Sequence, residues 1–196
     1  MLTAIARQGG PLLDDAVLAL GRIGDPGALD ALADVQRSAP PPVQPIVHAA
    51  ACLLGADCAA HEKFLIDTLK ATGEKNQGQE VVRAAATALG ALVLAGRSSA
   101  AEALLAIALH APDSVRAPIA LAVATLALRH PPLTFTLFEK NPAKEGVALL
   151  AEGSDMLEED FEKERFFALA RKTYWSASAD SPARALMQTL IVELEF

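Results

Sequence analysis

The chain has 196 residues, a formal net charge of −7 and a pI near 5.1, with 52% hydrophobic but only 5% aromatic residues. That length supports one sizeable core or an elongated array with a continuous one, and the acidic balance disfavours general binding to phosphate backbones. Forty-one alanines and the lack of period-two runs of β-branched and aromatic residues argue against a β protein and for an all-α one, because alanine loses no side-chain entropy in a helix and lets helices approach closely.

In chain order, MLTAIARQ (Met1 to Gln8) reads as the tail of a helix, comparable with ALADVQRS (Ala31 to Ser38), so the chain is expected to start in mid-unit. It carries no charged segment leading into an apolar one, so no signal peptide is expected. Then comes a repeat. LDDAVLALG begins at Leu13, VHAAACLLG at Val47, VRAAATALG at Val82 and VRAPIALAV at Val115, with starts 34, 35 and 33 residues apart. A blurred fifth copy lies near Leu149, and a sixth, ARALMQTLI, starts at Ala183, 68 residues after Val115. Each copy is small and apolar almost throughout, as expected of a helix sandwiched between neighbouring units.

Between the copies lie amphipathic stripes: Leu29, Leu32 and Val35; Phe64, Leu65 and Leu69; Leu104, Leu105 and Leu109. Asp25 followed by Pro26 predicts a helix N-cap, and Asp57 and Ser99 are similar candidates. The breakers SAPPP (Ser38 to Pro42), TGEKNQGQ (Thr72 to Gln79), APDS (Ala111 to Ser114) and HPP (His130 to Pro132) fall between helices. Gly21, Gly55 and Gly90, at equivalent places in the copies, are expected to end their helices. The polar stretch Thr72 to Glu80 has glycines but no phosphate-loop pattern and reads as a linker. DMLEEDFEKERFFALARKTYW (Asp155 to Trp175) predicts a longer helix, acidic at its start and basic at its end, that covers the last apolar face, with Tyr174 and Trp175 closing a core. No apolar run, including APIALAVATLAL (Ala117 to Leu128), reaches the roughly 18 residues that a membrane span requires. The expectation is therefore a soluble, cytoplasmic protein.

The unit is a helix pair repeating at ~34 residues, which predicts an α-α solenoid of roughly five to six pairs. ALGRIGDPGALDAL (Ala19 to Leu32) and VRAAATALG (Val82 to Gly90) resemble the HEAT-repeat family, most closely its short bacterial, phycobilisome-lyase-type HEAT-like repeats. The resemblance implies a HEAT/armadillo-like right-handed superhelix. It implies repeats over residues 1–130, with degenerate repeats and capping helices over 131–196, in one continuous solenoid. It also implies a scaffold that binds another protein or peptide through the second helix of each pair. On that reading Val82-Arg83 and Val115-Arg116 match the family's Val-Arg opening of the second helix. Asp14 and His48 occupy the same position in earlier units, so Asp14, His48, Arg83 and Arg116 form the candidate protein-binding row. Arg22 and Arg129 are further cations for the same groove.

Candidate chemistry is sparse. His48, Cys52, Cys58 and His61 have the spacing H-x3-C-x5-C-x2-H, and two nitrogens with two sulfurs suit zinc. Cys52, however, aligns with Leu18, Thr87 and Ala120, which makes plain packing of small buried residues the favoured reading; two cysteines do not make a disulfide framework. His61-Glu62 resembles one His-Glu pair of the HEAT-like deoxyhypusine hydroxylases, but a lone pair does not hold a di-iron centre. No nucleophile motif is present. The sequence is thus read as a non-catalytic interaction scaffold with no cofactor, no metal, no nucleic-acid partner and no membrane span. A phycobilin-lyase-like subunit and a HEAT-like DNA glycosylase are the alternatives by resemblance, the latter opposed by the net charge and the single tryptophan.

Overall fold

The computed structural model describes residues 1–71, 78–140 and 143–196, together with the backbone but not the side chains of 113, 114 and 143. Among the described residues there are twelve α-helices and no strands, so the protein is all-α. Among the described residues no helix is long and apolar enough to cross a membrane. The chain divides into two compact units, Met1–Leu104 and Leu105–Phe196.

The first unit contains α1 (Leu2–Gln8), α2 (Leu13–Ile23), a 3-10 turn (Pro26–Ala28) leading into α3 (Leu29–Ser38), α4 (Gln44–Leu53), α5 (Cys58–Ala71), α6 (Gln79–Leu94) and the start of α7 (Ser98–His110). The breakers account for the boundaries. α3 stops at Ser38 before the prolines, and Asp25 caps the turn, its Oδ1 accepting from Gly27 N–H at 2.9 Å with Pro26 following. Ala60 N–H donates to Asp57 Oδ1 at 3.4 Å, at the start of α5. Ser99 lies inside the first turn of α7 instead of preceding it. Of the polar stretch read as a linker, residues 72–77 lie outside the described residues.

The alanine-rich repeat is a packing repeat. α2 packs on α4 and α4 on α6, while α5 lies against both α4 and α6. The residues that open the copies, Leu13, Val47 and Val82, are all buried. α4 buries Val47 and the run Ala49 to Cys52, so it is covered on nearly every side. α5 buries only Glu62, Leu65 and Leu69, as a half-exposed partner helix should.

The second unit contains the rest of α7, then α8 (Asp113–Arg129), α9 (Pro131–Lys140), α10 (Ala143–Asp155), α11 (Asp160–Ser176) and α12 (Pro182–Glu193). The same alternation recurs: α8 packs on α10 and α10 on α12. The fourth copy opens α8 with buried Val115. The blurred fifth falls on α10, where Leu149 and Leu150 are buried, and the sixth on α12, which buries Leu186, Met187 and Leu190.

Three expectations need correction. Gly21 and Gly90 do not end their helices: α2 continues to Ile23 and α6 to Leu94, and the left-handed glycines that follow them are Gly24 and Gly96. Gly55 alone plays the expected role, with φ +93° just after α4. The long C-terminal helix begins at Asp160, because Asp155 still belongs to α10 and residues 156–159 form the turn between them. Trp175 closes no core. It is 75% exposed, whereas Tyr174 is half-buried beneath the Arg184 guanidinium, 4.5 Å from the ring centroid.

Candidate functional site

The densest cluster of reactive side chains lies on the hairpin of α4 and α5. His48 and Cys52 are one turn apart on α4, and Cys58 and His61 one turn apart on α5. The two helices are antiparallel neighbours joined by a short turn, so the pairs meet as two rungs. Cys52 and Cys58 form a disulfide, with Cα atoms 4.3 Å apart. One turn away, His48 Nδ1 and His61 Nδ1 lie 3.0 Å apart. The reading of Cys52 as a plain packing thiol is therefore corrected: it is buried, but it is cross-linked. While the two sulfurs are joined neither offers a thiolate, and no three His, Cys, Asp or Glu side chains among the described residues are grouped to hold a metal.

The histidine rung is held from two sides. Phe64, one turn beyond His61, stacks on the His48 ring with centroids 3.7 Å apart and planes 8° from parallel. Gln36 of α3 places its Nε2 3.1 Å from His48 Nε2. The amide donates there, which leaves the His48 proton on Nδ1 to donate to His61 Nδ1. That chain requires both rings to be neutral. Burial, and next the charge of His61, push the His48 imidazole down from 6.5 to about 4. Burial lowers His61 as well, opposed by the Asp57 carboxylate.

Glu62, beside His61, is buried. Its Oε2 accepts from Arg97 Nη2 at 3.0 Å and from Arg97 Nε at 3.3 Å, an ion pair 35 residues apart in sequence and close to one repeat period. The carboxylate is thus engaged within the fold and not offered to a metal.

The candidate binding row divides. Asp14 and Arg83 are exposed, and their side chains make no hydrogen bond or ion pair among the described residues. His48 is half-buried and occupied on both nitrogens. Arg116, in the second unit, is half-buried and donates from Nε to Glu152 Oε2 at 2.7 Å. Two cavities open where α2, α4 and α6 begin. One, of about 600 Å³, is lined by Leu13, Asp14 and Val43 with the end of α1. The other, of about 450 Å³, is lined by Gln44, Pro45, Phe64 and Val81. Neither was legible in the sequence, because each is built by loops from successive repeats. No family model matches the chain, and neither a curated protein nor a solved structure matches it significantly.

Proposed function

We propose that the protein is a non-catalytic helical-repeat scaffold of the HEAT-like kind that binds a protein or peptide along the edge where α2, α4 and α6 begin. The observation that supports this reading is the pair of cavities flanking the start of α4, with unpaired Asp14 lining one and Val81 of α6, the helix that carries exposed Arg83, lining the other. Packed helices lie about 8–10 Å apart, so the edge from α2 to α6 spans about 20 Å. An extended peptide covers that distance with roughly six residues. The opposite charges at its ends favour a segment with a cation facing Asp14 and an anion facing Arg83.

The test is quantitative affinity capture from native lysate with wild-type protein and with an Asp14→Lys/Arg83→Glu double variant as baits. A third bait, Lys63→Glu, reverses a charge on the exposed side of α5. Partners retained by wild type and by Lys63→Glu but depleted from the double variant support the reading, provided the far-UV spectra coincide. An identical set of captured proteins on all three baits would sink it.

A further inference from the structure

The α4–α5 hairpin carries a second capacity that does not depend on the binding edge. We propose that reduction of the Cys52–Cys58 disulfide converts the two rungs into one Zn²⁺ site with His48, Cys52, Cys58 and His61 as ligands.

The geometry is already close on the histidine side. Two nitrogens held about 2.0–2.1 Å from a tetrahedral zinc lie about 3.3 Å apart, and the facing Nδ1 atoms are 3.0 Å apart. Two thiolates at about 2.3 Å from the same ion lie about 3.8 Å apart. Cysteines with Cα atoms 4.3 Å apart reach that separation by side-chain rotation once the bond is broken. Both pairs bridge the same two helices, one turn apart, so the four side chains share one face of the hairpin. A supporting shell is also in place. The Phe64 ring fixes the plane of His48, and the Gln36 side-chain amide meets its outer nitrogen at 3.1 Å. Turned over, that amide accepts the Nε2–H of a histidine bound through Nδ1.

The redox step balances with a dithiol as the reductant. One thiolate of the dithiol attacks Cys58 Sγ, on the less buried of the two residues, forming a mixed disulfide and expelling the Cys52 thiolate. The second dithiol sulfur then displaces the Cys58 thiolate and leaves as the oxidised, cyclic disulfide. Two electrons and two protons pass to the cysteines. Zinc binding releases those two protons, since the ligands are thiolates.

The experiment uses the full chain, reduced with a phosphine under argon and titrated with Co²⁺ alone, then with Zn²⁺. The expected result is one ion per chain. The cobalt form should show the visible bands of a tetrahedral ion and a near-ultraviolet thiolate-to-cobalt charge-transfer band, both lost when zinc is added. The oxidised chain should bind none, and His61→Ala and Cys58→Ser should lose stoichiometric binding. Gln36→Ala should weaken binding roughly tenfold to a hundredfold, whereas His110→Ala should leave it unchanged. Should the reduced apo chain lose helicity, zinc is expected to restore it. A reduced chain that takes up no cobalt or zinc, one bound without thiolate charge transfer, or an unfolded one that zinc does not refold overturns the proposal.

Discussion

A neutral and a protonated imidazole have opposite consequences at His48. The neutral ring accepts from Gln36 and donates to His61, whereas protonating both rings sets two N–H groups against each other across 3.0 Å. With the folded-state pKa pushed from 6.5 to about 4 by burial and then by His61, the unfolded chain binds more protons in that interval. Stability carried by this residue is therefore present above pH 6.5 and lost as the pH falls toward 4. Urea unfolding of wild type should show a decline in midpoint over this window that is smaller in His48→Gln; equal slopes would refute the link. The neighbouring disulfide closes a very short loop. Its removal in a Cys52→Ser/Cys58→Ser variant should cost about 2 kcal/mol by loop-closure entropy, read as a lower urea midpoint than that of the oxidised wild type. The spacing of these four residues was visible in the sequence. Their pairing was not, because it depends on the turn between α4 and α5 bringing Cys58 under Cys52. Glu62 and Arg97 were hidden for a related reason: their partnership spans about one repeat, and neither charge read alone points to the other.

At the scale of the helix, the Leu-Gly that closes the early copies was legible as a recurring feature and misread as a stop signal. Gly21 is a contact residue. A Cβ there would lie 2.8 Å from Ala50 Cα and 3.0 Å from Ala50 Cβ, so α2 and α4 cross where neither side has room. Gly90 is its sequence equivalent, yet a Cβ there meets nothing within 4 Å. The two substitutions should then differ in sign. Gly21→Ala must push α2 off the α4 backbone and should destabilise by about 1–3 kcal/mol. Gly90→Ala removes a flexible residue from the interior of α6 and should stabilise by about 0.5–1 kcal/mol. Thermal unfolding of the two variants beside wild type checks both; a common sign would mean that the crossing at Ala50 is looser than described. The period carried the helix positions because every copy reuses the same small residues. It could not tell a glycine that makes room from one that does not, since that depends on which neighbour sits opposite.

For the whole molecule, the consequence of repetition is locality. In the first unit α2, α4 and α6 pack each on the next, and in the second α8, α10 and α12 do the same. Stability in such a chain is close to a sum of helix-pair and neighbour terms, so damage at one crossing should not spread evenly. Gly153 provides the counterpart of Gly21: a Cβ at this position of α10 would come 2.1 Å from the Ala120 carbonyl oxygen on α8. Hydrogen exchange read peptide by peptide distinguishes the two. Gly21→Ala should lower protection in α2 and α4 and leave α10 and α12 near wild-type values, while Gly153→Ala should do the reverse. The Trp175 signal adds an independent check. The only tryptophan is 75% exposed in the native state, so its emission maximum should shift little on unfolding, and helicity by circular dichroism must serve as the global probe. If either glycine variant instead lowers protection uniformly from α2 to α12, the protein unfolds as one cooperative body, and the repeat describes its ancestry of sequence but not its energetics.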